Sequence, residues 1–134
     1  MWAWLWFAPL GLGCAGMSPT ASTETRSIEQ VEIDQLKTRL DAGEVPILVD
    51  VRTAPERERG FIPGSIHIPL DQLQSRVGEL TDYRDGRTVY LVCQSGGRSQ
   101  RAAQWLAKEG FTTANVRGGT GRWAAKGLGI ERPK

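Results

Sequence analysis

Residues 88–99 read TVYLVCQSGGRS, and this stretch decides the fold. The segment Thr88–Val92 is almost entirely apolar or β-branched, which is typical of a parallel strand buried on both faces. Two glycines follow Cys93 closely, and a helical pattern with alanines and a leucine on one face then runs over residues 99–109. A strand, a tight loop and a helix in this order predict an α/β fold, with Cys93 at the carboxyl end of a central strand. Open α/β sheets bind their ligands at that edge.

Apolar segments on either side of this stretch extend the pattern. Residues 46–51, PILVDV, predict a second strand buried on both faces. Further strands are predicted at 28–31, 66–68 and 113–116, and helices at 33–40, 71–77 and 122–126. Their alternation over residues 26–134, without an internal repeat, predicts a small, mainly parallel sheet with helices on both faces.

Length and composition exclude several classes of protein. The chain has 134 residues, 40% of them hydrophobic and 24% charged, which fits one globular domain. A formal net charge of +2 gives no reason to expect a nucleic-acid partner. The two cysteines, Cys14 and Cys93, exclude a disulfide-rich scaffold and a four-ligand zinc site of the usual kind. His67 is the single histidine, and we expect it to be a packed or edge residue of a strand.

The N-terminal segment differs in composition from the rest of the chain. Residues 1–23 carry no charged side chain, and residues 1–15 form an apolar run. That run is shorter than the roughly 20 residues that a membrane-spanning helix needs. The sequence Leu12-Gly13-Cys14 resembles the end of a bacterial lipoprotein signal, in which the cysteine becomes the acylated first residue. We therefore expect residues 1–25 to be a signal and polar tether that directs the chain to the periplasm, or anchors it in the bacterial envelope through lipidated Cys14. An ordinary cleaved signal and a core helix are the alternatives.

The loop after Cys93 has the features of an anion-binding site. Gly96 and Gly97 allow the backbone to curl so that successive N–H groups point at one centre. The following helix adds the partial positive charge of its N-terminus, and Arg98 adds a full one. Such surroundings lower the pKa of a thiol and supply a thiolate without a histidine base. The alternative is an inert buried cysteine ahead of a glycine turn.

This loop resembles the active-site loop of the rhodanese (sulfurtransferase) family, whose pattern is Cys-x-x-Gly-x-Arg-Ser. Cys93, Gly96, Arg98 and Ser99 match it. The resemblance extends over residues 28–131 and includes several further motifs: Asp50-Val51-Arg52, the acidic Glu56, the turn over residues 60–65, Gly118-Gly119 and Trp123. The chain departs from the family at Phe61, where histidine is common, and at the uncharged Gln94 and Ser95.

The resemblance implies a mechanism. The Cys93 thiolate would attack the sulfane sulfur of thiosulfate or a persulfide, forming an enzyme persulfide and releasing sulfite or a thiol. A thiol or cyanide would then accept the outer sulfur. Backbone N–H groups of the loop would stabilise the persulfide, and Arg98 would help to hold the donor's charge. The loop residues concerned are Gln94, Ser95, Gly96, Gly97, Arg98 and Ser99.

Other charged residues of the matching motifs are expected to support the loop. By the same resemblance, Asp50, Arg52 and Glu56 order it. Residues 56–59, however, alternate in sign as ERER, which by itself predicts a solvated face. Arg117 and Arg122 are candidates for the edge of the pocket mouth, and the sequence does not fix their place.

Two other functions compete with sulfur transfer by an enzyme. Cysteine phosphatases and arsenate reductases have a related loop, but phosphatase loops place one more residue between cysteine and arginine than the four between Cys93 and Arg98. A sulfur-carrier or interaction module would hold a persulfide without useful turnover. No metal or organic cofactor is implied. The expected partners are a small sulfur donor and a thiol acceptor.

Overall fold

The computed structural model describes residues 27–134, which contain a single five-stranded sheet in the order β1-β5-β4-β2-β3. All four strand pairings are parallel. The strands are β1 (Glu29–Val31), β2 (Ile47–Asp50), β3 (Ile66–His67), β4 (Thr88–Val92) and β5 (Thr112–Val116). The predicted parallel α/β fold is confirmed, and β4 has the predicted bounds.

Helices cover both faces of the sheet. They are α1 (Ile33–Asp41), α2 (Ala54–Glu58), α3 (Leu73–Arg76), α4 (Gly97–Lys108) and α5 (Gly119–Ala125). Because side chains alternate along a strand, the fully buried central strands feed two cores. Leu91 packs with Leu106 of α4 on one face. Tyr90 packs with Leu36 of α1 and Trp123 of α5 on the other.

Two segments differ from the elements predicted. The short helix α2 was not predicted, and residues at its N-terminus stabilise it. Thr53 and Glu56 form a capping box in which each side chain accepts from the other's backbone N–H, and Pro55 lies in the first turn. The helix expected at 71–77 is instead a 3₁₀ turn (Leu70–Gln72), α3, and a longer 3₁₀ segment (Val77–Asp85). These elements are too short to show apolar periodicity, so only the residues at their ends give a local sequence signal for them.

The topology brings the sequence motifs together. β4 lies between β5 and β2 at the middle of the sheet, so the carboxyl ends of these three strands meet at one edge. The residues that follow them are Cys93, Arg117 and Val51, and the loops after these positions form the candidate site.

Within residues 27–134, no helix is long and apolar enough to cross a membrane. Residues 1–26 lie outside the described part of the chain. The predictions of a signal segment, of export and of lipid attachment at Cys14 fall on those residues and stay predictions.

Candidate functional site

The centre of the site is Cys93, the residue directly after β4. It is buried, with 1% of its surface exposed. The loop curls beneath its sulfur as the sequence predicts: the backbone N–H of Gly96 donates to Sγ over 3.0 Å. Gly96 has a φ of +115°, a conformation that a residue with a side chain rarely adopts, and it caps the N-terminus of α4. Backbone geometry therefore favours glycine at position 96, whereas Gly97 has no positive φ and has open space around it.

Opposing effects set the pKa of Cys93. Burial of the thiol acts to raise the pKa. Hydrogen bonds from the Ser99 hydroxyl and from the backbone amides of Ser99, Gly96 and Ser95 stabilise the thiolate. These donors outweigh burial, so the pKa of Cys93 lies below its ordinary value. The site supplies a thiolate without help from His67, whose ring instead contacts the Arg52 carbonyl over 2.7 Å.

A chain of polar side chains lies behind the sulfur. The Ser99 hydroxyl lies 3.4 Å from Sγ and 2.6 Å from Oδ1 of Asn115, within hydrogen-bond distance of both, and its single proton is donated to one of them at a time. The Asn115 amide donates to Gln30, and Gln30 in turn donates to Gln100. Asn115 was missed by sequence reasoning, although an asparagine inside the apolar strand TTANV is an available signal. Its contacts fix the hydroxyl that faces the sulfur.

The end of β5 and the start of α5 close the loop from the other side. The Thr120 N–H donates to the Cys93 carbonyl over 2.8 Å, and the Gly121 N–H donates to the Gln94 carbonyl over 3.0 Å. Gly119 lies so close that a Cβ there would overlap the Cys93 carbonyl oxygen, and its φ is +58°. The Gly118-Gly119 motif therefore lets a second backbone segment approach the Cys93 loop.

Asp50, the last residue of β2, forms a buried ion pair with Arg52 beside the loop. Nη2 of Arg52 lies 2.9 Å from Oδ2 of Asp50, and these residues are 2% and 1% exposed. The same guanidinium donates to the Gly60 carbonyl over 2.7 Å and to Oε1 of Gln94 over 3.3 Å. The pair thus connects the end of β2 to the Cys93 loop, the supporting place that the resemblance implied.

The interpretation of residues 56–59 as a solvated face is wrong for its first two members. Arg57 lies 3.2 Å from Asp50, donates to the Ser65 carbonyl over 2.7 Å, and stacks 3.9 Å above the ring of Phe61. Burial lowers the pKa of Arg57, although the Asp50 charge opposes that effect. Phe61, where the family often has histidine, therefore provides a face for this arginine.

Glu56 and Arg98 pair across the site. Both terminal nitrogens of Arg98 donate to the Glu56 carboxylate, over 2.8 Å and 2.6 Å. This contact lowers the pKa of Glu56 and raises that of Arg98. Arg98 was expected to hold the donor's charge, but its guanidinium is engaged by Glu56 in this structure. The pair instead ties α2 to the first turn of α4.

Two cavities open beside the loop. One, of about 480 Å³, is lined by Arg59, Gln94, Thr120 and Arg132 among others. The second, of about 640 Å³, is lined by Ser95, Gly97, Arg117 and Arg122 among others, so both arginines considered for the edge of the pocket mouth border it. Trp123 is buried in one core, and Trp105 packs against the other. Within residues 27–134 no group of His, Cys, Asp and Glu side chains is arranged to hold a metal ion.

Comparisons with known proteins agree with this geometry. Residues 32–126 match the family described as "Rhodanese-like domain". A "Sulfurtransferase" of Allochromatium vinosum is 34% identical over 108 residues, covering 80% of this chain and 98% of the relative. The "Putative sulfur carrier protein YrkF" of Bacillus subtilis is 35% identical over 107 residues, covering 79% of this chain, which spans only 56% of that relative.

A solved structure has a similar fold. A structure titled as a thiosulfate sulfurtransferase from Pseudomonas aeruginosa superimposes with a TM-score of 0.70 at 28% identity, covering 80% of this chain and 21% of that larger chain. The family match covers well over half of the sequence and includes the loop, the closing glycines and the Asp50–Arg52 pair. The chain is a member of the rhodanese-like domain family.

Proposed function

We propose that this protein is a sulfurtransferase that moves sulfane sulfur from thiosulfate or a persulfide to a thiol or cyanide through a persulfide on Cys93. Sulfur transfer of the rhodanese type is the role that the family and its named relatives support. The observation that carries the proposal is the Cys93 sulfur itself. It sits on a loop of backbone donors and its pKa is lowered without a histidine.

In the first half-reaction, the Cys93 thiolate attacks the outer sulfur of the donor. Its lone pair forms the new S–S bond, and the donor's own S–S bond breaks. Thiosulfate leaves as sulfite with the bonding electron pair, and a persulfide leaves as a thiolate. The N–H groups that face Sγ then stabilise the negative charge on the outer sulfur of the enzyme persulfide.

In the second half-reaction, a thiolate or cyanide attacks that outer sulfur and the Cys93 thiolate is the leaving group. The low pKa of Cys93 favours this step too, because a weaker base leaves more readily. No protein base has to move a proton in either half-reaction when donor and acceptor are anions. This fits the position of His67, which is engaged with the Arg52 carbonyl.

Intact-mass spectrometry of the full chain tests the proposal. The parent protein would carry Cys14→Ser, so that Cys93 is the only thiol. Incubation with thiosulfate, or with glutathione persulfide, should add one sulfur atom that is lost on addition of cyanide. The Cys93→Ser variant is the control and should gain none. If neither donor adds sulfur to the parent, the proposal fails.

The second candidate is a sulfur carrier without useful turnover, favoured by the name of the B. subtilis relative. A carrier would form the Cys93 persulfide but release its sulfur slowly to small acceptors. Turnover with cyanide and with reduced thiols separates the two functions, because an enzyme regenerates Cys93 over many cycles. A phosphatase is disfavoured by the shorter loop and by the Glu56 carboxylate that holds Arg98.

We also propose export, with lipid attachment at Cys14. The support is the charge-free apolar segment over residues 1–15 and the Leu12-Gly13-Cys14 sequence. Metabolic labelling with a fatty acid in a bacterial host, followed by fractionation, is the test. Label on the protein that keeps its native Cys14 and none on Cys14→Ala is expected. Absence of label in both would contradict lipidation.

A further inference from the structure

Four polar side chains form a hydrogen-bonded chain from the Cys93 sulfur to the protein surface. The Ser99 hydroxyl lies 3.4 Å from Sγ and 2.6 Å from Oδ1 of Asn115. The Asn115 amide donates to Oε1 of Gln30 over 2.9 Å, and the Gln30 amide donates to Oε1 of Gln100 over 2.8 Å. Ser99 and Asn115 are 0% and 4% exposed, whereas Gln30 is an exposed residue. The chain therefore connects a buried sulfur to solvent.

The sheet holds Asn115 in the middle of this chain. Asn115 of β5 lies directly opposite Gln30 of the edge strand β1. On its other side it is paired with Leu91 of β4, which belongs to the core beneath α4. An amide buried beside such a core is costly unless it is hydrogen-bonded. Both ends of the Asn115 amide are therefore committed, one to the hydroxyl beside the sulfur and one to the edge strand.

The single proton of the Ser99 hydroxyl has three acceptors within reach. These are Sγ of Cys93, Oδ1 of Asn115, and the Gly96 carbonyl at 3.2 Å. With the amides oriented as in the structure, Oδ1 accepts the proton, and the hydroxyl does not donate to the sulfur. If the proton turns to a thiolate, the Ser99 oxygen and Oδ1 face each other at 2.6 Å with no hydrogen between them. Two partial negative charges at that distance repel, so the amide has to turn.

A half-turn of the three amides removes this conflict. A primary amide has an acceptor at one end and donors at the other, and rotation exchanges them. After the turn, the Asn115 amide donates to Ser99 and accepts from Gln30. The Gln30 amide then accepts from Gln100, so each hydrogen bond is kept with its direction reversed. Because each bond polarises the next, the chain favours one common direction over a mixture.

The ion pairs that border the sulfur or the chain are Asp50 with Arg52, Glu56 with Arg98, Glu29 with Arg39, and Glu32 with Arg117. Arg101 beside Gln100, and Arg122 on the wall of the cavity that Gln30, Gln100 and Asn115 also line, add positive charge. These charges act on the sulfur through space whichever way the hydrogen bonds run. Only the hydroxyl of Ser99 passes the direction of the chain to the sulfur.

We propose that Asn115 and Gln30 are positioning residues for sulfur transfer, because their amides reverse together with the charge of the sulfur. The Ser99 hydroxyl then donates to Cys93 while the sulfur is a thiolate, and to Asn115 while the sulfur is uncharged. No covalent bond changes, and no proton leaves the hydroxyl. The inference rests on the proposed function, in which Cys93 is a thiolate when it attacks the donor and again when it leaves the persulfide.

The pH dependence of alkylation by iodoacetamide tests this in the full-length Cys14→Ser protein. Gln30→Glu offers acceptors only, so it holds the Asn115 amide in the orientation that accepts the Ser99 proton. This variant should raise the midpoint and slow alkylation at pH 7 by about two- to fivefold, because the thiolate loses a donor. Gln30→Lys offers donors only and should lower the midpoint.

A double-mutant cycle separates hydrogen-bond direction from the charge that each variant adds. In a Ser99→Ala background the chain no longer reaches the sulfur, while a charge at position 30 still acts through space. There Gln30→Glu should change the rate by less than about 1.5-fold, since an exposed charge is screened. Gln104→Glu, at an exposed position of α4 outside the chain, is the control and should act equally in both backgrounds. Equal effects of Gln30→Glu in both backgrounds would overturn the inference.

The side-chain amide signals of Asn115 and Gln30 in NMR spectra provide a second readout, which a merely structural role would not move. In the parent protein both signals should shift with the midpoint found by alkylation. In Ser99→Ala the Gln30 signal should stay fixed through that pH range. A Gln30 signal that stays fixed in the parent as well would overturn the inference.

Neither measurement uses a sulfur donor, so failure of the inference and failure of the proposed function are distinguishable. If Cys93 takes sulfur from no donor while the cycle shows coupling between Gln30 and Ser99, the proposed function fails and the reversing chain stands. If sulfur is transferred but the cycle shows no coupling, the inference fails alone.

Discussion

The Cys93 loop and the charged cluster beside it are built by different means. The loop is held by main-chain groups: the Gly96 N–H reaches the sulfur, and the amides of Thr120 and Gly121 fix the carbonyls of Cys93 and Gln94. The cluster is held by side-chain charges, in which Asp50 binds Arg52 and Arg57, and Glu56 binds Arg98. Backbone donors do not ionise, so the surroundings of the sulfur change little with pH. The stability of the charged cluster, by contrast, depends on the ionisation of each of its side chains.

The largest expected effect is on the charged cluster. Asp50→Asn removes the one carboxylate that faces both Arg52 and Arg57 and leaves two cations in a buried place. Breaking a buried ion pair in this way costs about 3–5 kcal/mol of unfolding free energy. Urea denaturation would measure it. Asp34→Asn, which removes an exposed partner of Lys126, is the matched control and should cost about 0–1 kcal/mol. If Asp50→Asn loses no more unfolding free energy than Asp34→Asn, the charged cluster is not held together by charge.

The next effect is on the backbone of the loop. Gly119→Ala should lower the unfolding free energy by about 2–4 kcal/mol, because the new Cβ overlaps the Cys93 carbonyl and because φ is positive. It should also abolish persulfide formation. Gly43→Ala has a similar positive φ with open space around it and isolates the conformational cost of about 1 kcal/mol. Equal losses of unfolding free energy in the two variants would mean that the close approach of Gly119 to the Cys93 carbonyl does not matter for stability.

A smaller effect concerns the reactivity of the sulfur. The thiolate is the reactive form, so the rate of alkylation by iodoacetamide should fall as the pH drops through the pKa of Cys93, and the midpoint should lie below the ordinary thiol value of 9.0. Ser99→Ala removes a donor to the thiolate and should move the midpoint upward, slowing alkylation at pH 7 by about two- to tenfold. Ser75→Ala, on the exposed side of α3, is the control. An unchanged midpoint in Ser99→Ala would mean that backbone donors alone lower the pKa of Cys93.

The smallest effect is at the ion pair of Glu56 with Arg98. Glu56→Gln keeps the capping box of α2, because glutamine also serves in such a box. The variant should lower the unfolding free energy by about 0.5–1 kcal/mol at pH 7. The folded-state pKa of Glu56 lies below its ordinary value of 4.5, so the stabilisation is present above that pH and is lost as the pH falls through the folded-state pKa. The difference in unfolding free energy between parent and variant should therefore shrink below pH 4.5. Glu58→Gln, which removes an exposed charge from the same helix, is the control for this comparison.

Sequence reasoning was most successful where local pattern and backbone geometry act alone. The buried strand β4 and the place of Cys93 at its end were predicted from the apolar run and the two glycines. It was least successful for polar partners. Glu56 was assigned to a supporting role only through the family resemblance, and its charge pattern alone indicated a solvated face. Asn115, which binds Ser99 behind the sulfur, was not identified at all.

The sequence alone predicts the parallel α/β fold, the position of Cys93 after β4 and the curl of its loop, because each depends on residues adjacent in the chain. Which charges meet is visible only in the folded chain. Glu56 and Arg98 are 42 positions apart, and Asn115 and Gln30 are 85 apart. Such pairs form because parallel strands bring their carboxyl ends to one edge of the sheet, and the sequence around one partner does not show which residue it will meet.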